Sequence, residues 1–359
     1  MSHETDSIIP LIQQGCAAFL KQNDLAGRFT LHDVVIKNGE AFLSLETPVR
    51  NSTFLQKLQQ ELGGLLQGKT GLKNVTLSFM TTSSEGASHR PLGGSPSSDP
   101  TLPDVKAVIA IASGKGGVGK STTALNLACG FTQHGLKTGL LDADIYGPSL
   151  PSMLGTSHKP EIVSGKLIPI EKWGLKTMSI GYLVDETQAL IWRGPMVMGA
   201  ITQLLDDVEW GELDVMVVDL PPGTGDAQLT LTKKLGAQLK KGGAVIVSTP
   251  QDIALLDARR AITLFERTET PVLGLIENMS YFCCPHCNEP TAIFGHGGVK
   301  TEAAKLGLPF LGEIPLSVDI RQGADEGTPI ILADPDSEEA TTYRNLAGKL
   351  AHMLEARRS

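Results

Sequence analysis

A glycine-rich run set between an apolar β-branched segment and a helical stretch constrains the fold of this chain more than any other feature. The run is Ser113-Gly114-Lys115-Gly116-Gly117-Val118-Gly119-Lys120-Ser121-Thr122. Gly114 and Gly119-Lys120-Ser121 satisfy the G-x-x-x-x-G-K-[ST] pattern of a phosphate-binding loop. Ahead of it, Val105 to Ala112 is apolar and β-branched, which predicts a buried strand. Behind it, Thr122 to His134 predicts a helix ending near Gly135. In that setting the backbone of Gly114 to Gly119, Val118 included, turns N–H groups towards a triphosphate. Lys120 reaches the β- and γ-phosphates, and Ser121 offers a hydroxyl to Mg²⁺. Thr122 follows at the positive end of the helix. Lys115 is surplus to the pattern, which demands no cation there.

Further apolar runs follow: Thr138 to Asp142, Val215 to Asp219, Gly243 to Ser248 and Val272 to Ile276. Near-continuous apolar strands separated by helical stretches predict an α/β fold. The expected architecture is that of a P-loop NTPase, a doubly wound, mainly parallel sheet whose ligands sit at the carboxyl ends of the strands. Glu338 to Arg358 predicts an exposed amphipathic helix at the C-terminus. Residues 1–80 predict a small α+β domain. It has helices over Ile8–Lys21 and Phe54–Leu66, and strands over Phe29–Ile36, Ala41–Glu46 and Val75–Phe79. Lys37-Asn38-Gly39-Glu40 is a hairpin signal. Residues 81–103, dense in Ser, Gly and Pro, predict a flexible linker before the large domain of residues 104–359.

The expected strand ends carry the acidic chemistry. In Asp142-Ala143-Asp144, one carboxylate is placed to enter a Mg²⁺ shell and the other to orient an attacking water, a role assigned to Asp144. Asp219 ends a strand where the metal-binding aspartate of such proteins sits. Leu220-Pro221-Pro222-Gly223-Thr224-Gly225-Asp226 then mixes stiff and permissive backbone, suited to two poses that depend on a γ-phosphate. The amide of Asn278 can read a base edge. Lys115 fits a role in trans, reaching the nucleotide of a second protomer as an arginine finger does.

Of the five cysteines, Cys16 and Cys129 lie in helical stretches and are expected in the core. An odd number argues against a disulfide framework. Cys284-Pro285-His286-Cys287 is a C-x-x-C, preceded by Cys283. One such pair supplies two metal ligands where zinc sites and iron–sulfur clusters take about four. The set can be completed in one chain by Cys283 with His286 or His296, or at a two-fold axis by Cys284 and Cys287 of two protomers. A redox dithiol is a third option.

The net charge of −8 and the lack of a basic run argue against a nucleic-acid surface. No apolar stretch is long enough to span a bilayer. The first residues lack a basic start and apolar core, so a cytoplasmic protein without membrane association is expected.

The loop with its second lysine resembles the deviant Walker A motif of the MinD/ParA class. Asp142-Ala143-Asp144-Ile145-Tyr146-Gly147-Pro148-Ser149, Asp219 to Asp226, and Asn278-Met279-Ser280 followed by the C-x-x-C narrow the likeness. Together they are similar to the Mrp/ApbC family of iron–sulfur cluster carrier ATPases over residues 104–335. The resemblance implies a homodimer that binds and slowly hydrolyses ATP with Mg²⁺. It also implies a [4Fe–4S] cluster bridged by Cys284 and Cys287, received from a donor scaffold and passed to apo iron–sulfur proteins. By the same likeness Lys115 is the signature lysine, Asp144 the switch I aspartate and Asp219 the switch II aspartate. The first 80 residues resemble the MIP-type assembly domain often fused to this family. That domain often has a cysteine after its second strand, whereas this chain has Thr47-Pro48-Val49-Arg50-Asn51-Ser52, so partner docking or regulation is the expected role. The rivals are a partition or positioning ATPase of the same fold and a zinc-stabilised ATP-binding module.

Overall fold

A computed structural model describes residues 2–37, 40–47, 49, 52–72, 74–81, 102–184, 194–287 and 289–358. Its contacts form two compact units, Met1–Ser95 and Pro96–Ser359. Most of the predicted linker (82–101) and the centre of the predicted hairpin turn (38 and 39) lie outside the described residues.

The first unit runs α1 (Ser2–Gln22), β1 (Thr30–Lys37), β2 (Glu40–Thr47), α2 (Ser52–Thr70) and β3 (Asn74–Thr81). β1 and β2 pair antiparallel with Lys37 opposite Glu40, and β2 and β3 pair parallel with α2 between them in the chain. Ile12, Leu43, Leu45, Leu62 and Leu66 are fully buried at its core. Cys16 lies among them, and burial pushes its thiol up to about 11.

The second unit opens with β4 (Val108–Ala112), α3 (Lys120–Gln133), β5 (Thr138–Asp142) and α4 (Leu150–Leu154). A ribbon of β6 (Ile162–Val163) and β7 (Lys166–Leu167) leads to β8 (Ile170–Lys172) and β9 (Leu175–Ser179). Then come α5 (Gly194–Asp206), β10 (Val215–Asp219), α6 (Asp226–Lys234), α7 (Gly236–Lys241), β11 (Gly243–Ser248), α8 (Asp252–Arg267) and β12 (Val272–Asn278). A short hairpin of β13 (Phe282–Cys283) and β14 (Pro290–Thr291) precedes α9 (Gly298–Leu306) and β15 (Phe310–Ile314). The chain closes with α10 (Val318–Asp325), α11 (Ile330–Ala333) and α12 (Glu338–Arg358).

Across the main sheet the order is β15-β12-β11-β4-β10-β5-β9-β8. Neighbours pair parallel except β8, which joins β9 antiparallel. Every residue of β4, β5, β10 and β11 is buried, as strands covered on both faces require. β4 lies between β10 and β11, so its carboxyl end opens into the crevice where such sheets bind ligands.

β4 begins at Val108 rather than Val105, because Val105 makes an isolated bridge to Leu213. The C-terminal helix is not simply exposed: Ala340, Tyr343, Leu346, Ala347, Leu350 and Leu354 are buried. Its stripe lies close against α3, where a Cβ on Gly130 would stand 2.6 Å from the Ala347 methyl. No helix among the described residues is long and apolar enough to cross a membrane.

Candidate functional site

The glycine loop leaves β4 and enters α3 at Lys120. Two glycines fix its seat. A Cβ on Gly114 would lie 2.1 Å from the Asp257 backbone on α8. Gly119 has φ +78°, and a Cβ there would lie 2.1 Å from Asn278 Nδ2. Any larger residue at either position would force the loop off its neighbours. Gly116, Gly117 and Val118 lie between these anchor points, with Val118 buried beneath the loop.

Lys120 is buried, and its Nζ donates to Asp219 Oδ1 in a close ion pair, with Ser121 Oγ 3.4 Å away. Asp219 ends β10 and stands in register with Asp142 on β5. Asp142 is itself engaged. Its Oδ1 accepts from Asp144 N at 3.1 Å. Its Oδ2 accepts from Ser149 N at 3.1 Å, Leu150 N at 3.2 Å and Ser179 Oγ at 3.0 Å. Burial, reinforced by the charge of Asp219, raises its carboxyl to about 7. Asp142 thus braces the loop between β5 and α4. Asp144 is half-buried and accepts from Gly147 N at 3.3 Å. Burial pushes its carboxyl up, Lys120 opposes the shift, and Asp219 adds to it. Asp144 lines a cavity of about 590 Å³ with Tyr146, Met198, Pro221 and Pro222. Of the two aspartates it is the one that lines this cavity.

Lys115 is half-buried, and its Nζ donates to Gln251 Oε1 at 3.2 Å, a partner that no spacing in the sequence revealed. Thr122 Oγ1 lies 3.9 Å from Met153 Sδ. Asn278 donates from Nδ2 to Val118 O at 2.8 Å. Its amide N–H therefore holds the loop, a contact additional to the base reading expected from sequence.

β13 and β14 lift Cys284 and Cys287 beyond the end of β12. Cys284 N donates to Glu289 O at 3.2 Å, closing the turn. The backbone N–H groups of His286 and then Cys287 point at the Cys284 sulfur and hold its thiol below the usual range. The turn thus favours the Cys284 thiolate, which is the form in which cysteine ligates metals. Cys283 and Cys287 are exposed. The one-chain zinc set through His296 is not assembled, because His296 Nε2 pairs with Glu313 Oε2 at 3.0 Å. Among the described residues, the group with metal-binding proximity is Glu277, His296 and Glu313, without a cysteine. Buried Glu277 also escaped sequence reasoning, because its partners Gly297 and Val299 lie far along the chain.

Residues 104–351 match the ParA family profile described as the NUBPL iron-transfer P-loop NTPase. The chain belongs to that family. An Arabidopsis thaliana relative, "Iron-sulfur protein required for NADH dehydrogenase, mitochondrial", is 52% identical over 256 residues, covering 71% of this chain and 80% of that protein. An Escherichia coli K12 relative named "Iron-sulfur cluster carrier protein" is 48% identical over 257 residues, covering 71% and 69%. Among solved structures, a nucleotide-binding protein from Archaeoglobus fulgidus in complex with ADP is 42% identical with a TM-score of 0.55. The match covers 62% of this chain and 87% of that one. The cell division ATPase MinD of Pyrococcus furiosus, 19% identical with a TM-score of 0.51 over 69% of this chain and 99% of that one, shares the fold. As a NUBPL-type P-loop NTPase, the chain has its phosphate loop and its cysteine pair within the matched region.

Proposed function

We propose that this chain is an iron–sulfur cluster carrier whose slow ATP hydrolysis governs a [4Fe–4S] cluster held between two copies. The observation that carries it is the prepared knuckle of Cys284 and Cys287 at the end of β12, the strand whose last residue holds the phosphate loop. Two thiolates are half of what a cubane cluster takes from protein. A two-fold axis supplies the other half from the second copy. The cluster is cargo, taken from a donor scaffold and delivered to apo iron–sulfur proteins, as the names of the relatives indicate for those proteins.

At the nucleotide end, the loop backbone and Lys120 hold the phosphates, and Asn278 approaches the base. Ser121 and Asp219 offer oxygen donors, which suit a hard ion such as Mg²⁺. When bound, Mg²⁺ neutralises phosphate charge. Lys120 must exchange Asp219 for phosphate, which releases that carboxylate. Asp144 orients the attacking water, and Lys115 leaves Gln251 to reach the partner's nucleotide. The first unit serves docking or regulation as a MIP-type domain.

Anaerobic reconstitution with iron and sulfide tests the carrier role. Wild-type protein should take up both and show the broad visible absorbance of a cluster, and Cys284→Ala and Cys287→Ala should each abolish uptake. Undiminished iron and sulfide in the double variant would refute the assignment, and zinc in place of iron would favour the zinc module.

A further inference from the structure

Glu277 is a fully buried carboxylate that the proposed chemistry does not use. It precedes Asn278 at the end of β12. Its Oε2 accepts from Val299 N at 2.8 Å, and its Oε1 accepts from Gly297 N at 2.8 Å and Ser280 Oγ at 2.5 Å. Ser280 is where the chain leaves for the cysteine hairpin, and Gly297 is where it returns to α9. Both feet of the excursion are therefore fastened to one side chain. Glu313 on β15 reinforces the base, with its Oε2 3.1 Å from Ser280 Oγ and 3.0 Å from His296 Nε2.

The neighbouring side chain, on the opposite side of the strand, is Asn278. It holds Val118 O at 2.8 Å and abuts Gly119. Successive residues of one buried strand thus grip the phosphate loop and the two feet of the cysteine hairpin. A cap for α9 would need the Gly297 and Val299 N–H groups alone. The hydroxyl of Ser280 is unnecessary for that purpose and ties in the entering foot.

We propose that Glu277, acting through Ser280, is the positioning residue that transmits the nucleotide state of the phosphate loop to the C-x-x-C hairpin and so sets the lability of a bound cluster. This rests on the carrier function proposed above. When the loop closes on nucleotide, Asn278 follows Val118, and the rigid end of β12 carries Glu277 with it. The shift reaches both feet of the hairpin together, because charge-assisted hydrogen bonds give little slack.

The test uses the full chain, loaded anaerobically with iron and sulfide, and follows iron removal by a ferrous chelator with and without ATP and Mg²⁺. In wild type the two rates should differ by roughly fivefold or more, the size of an ordinary coupling between sites. Ser280→Ala leaves the α9 cap intact and should bring the ratio to about one, with iron content and ATP hydrolysis within about twofold of wild type. Glu277→Gln, a near-isosteric second variant checked by its melting midpoint, should do the same. A wild-type ratio in folded Ser280→Ala overturns the proposal. So does a loaded wild-type protein indifferent to nucleotide, a result that leaves the carrier role standing. A wild type that takes up no cluster overturns both.

Discussion

Asp142 and Asp219 end adjacent parallel strands in register, and Lys120 pairs with Asp219 alone of the two. Nearly full burial of Asp142 beside that second carboxylate disfavours its charged form and lifts it to about 7. The folded state therefore binds its proton more tightly than the unfolded chain does. The resulting stability is complete below the unfolded value of about 4, drains away as pH rises through about 7, and is gone above it. Nucleotide-free protein unfolded in denaturant should lose stability between about pH 4 and pH 7, and Asp142→Asn should flatten that slope. A variant with the slope of the wild type would place its source elsewhere.

The strand, loop and helix around the nucleotide were legible because glycine spacing and a continuous apolar run are local signals. α3 starts at Lys120, two residues before the expected Thr122, because the polar Lys120 and Ser121 do not signal a helix. Its burial became visible only with Asp219 beside it. The packed face of α12 was missed for a related reason. Ala347 and Tyr343 do not read as an apolar stripe, yet they lie against Gly130 of α3. Glu277 was invisible because its partners Gly297 and Val299 lie 20 and 22 residues away. The loop also carries its own prediction. Lys115 rests on Gln251 in an isolated chain, so its removal should reduce ATP hydrolysis by roughly tenfold or more, as loss of a trans-acting cation does, while nucleotide affinity changes little. Equal loss of both in Lys115→Ala would mean an ordinary phosphate-binding lysine.

In the whole molecule, the proposed reading makes Lys115 and the C-x-x-C each half of a device. The lysine is surplus to its own loop, and the knuckle holds two thiols where a cluster takes about four. In the proposed dimer one two-fold axis completes both, and β12 links them within each copy through Asn278 and Glu277. Nucleotide binding on this account sets the geometry around a shared cargo more than it supplies energy. The central claim is that two chains share one cluster, and mass measurement of the anaerobically loaded protein under native conditions tests it most directly. The account predicts a species of twice the chain mass carrying about four iron and four sulfide atoms, dissociating to single chains when the cluster is stripped. A loaded single chain with its own complete cluster or zinc ion would contradict it.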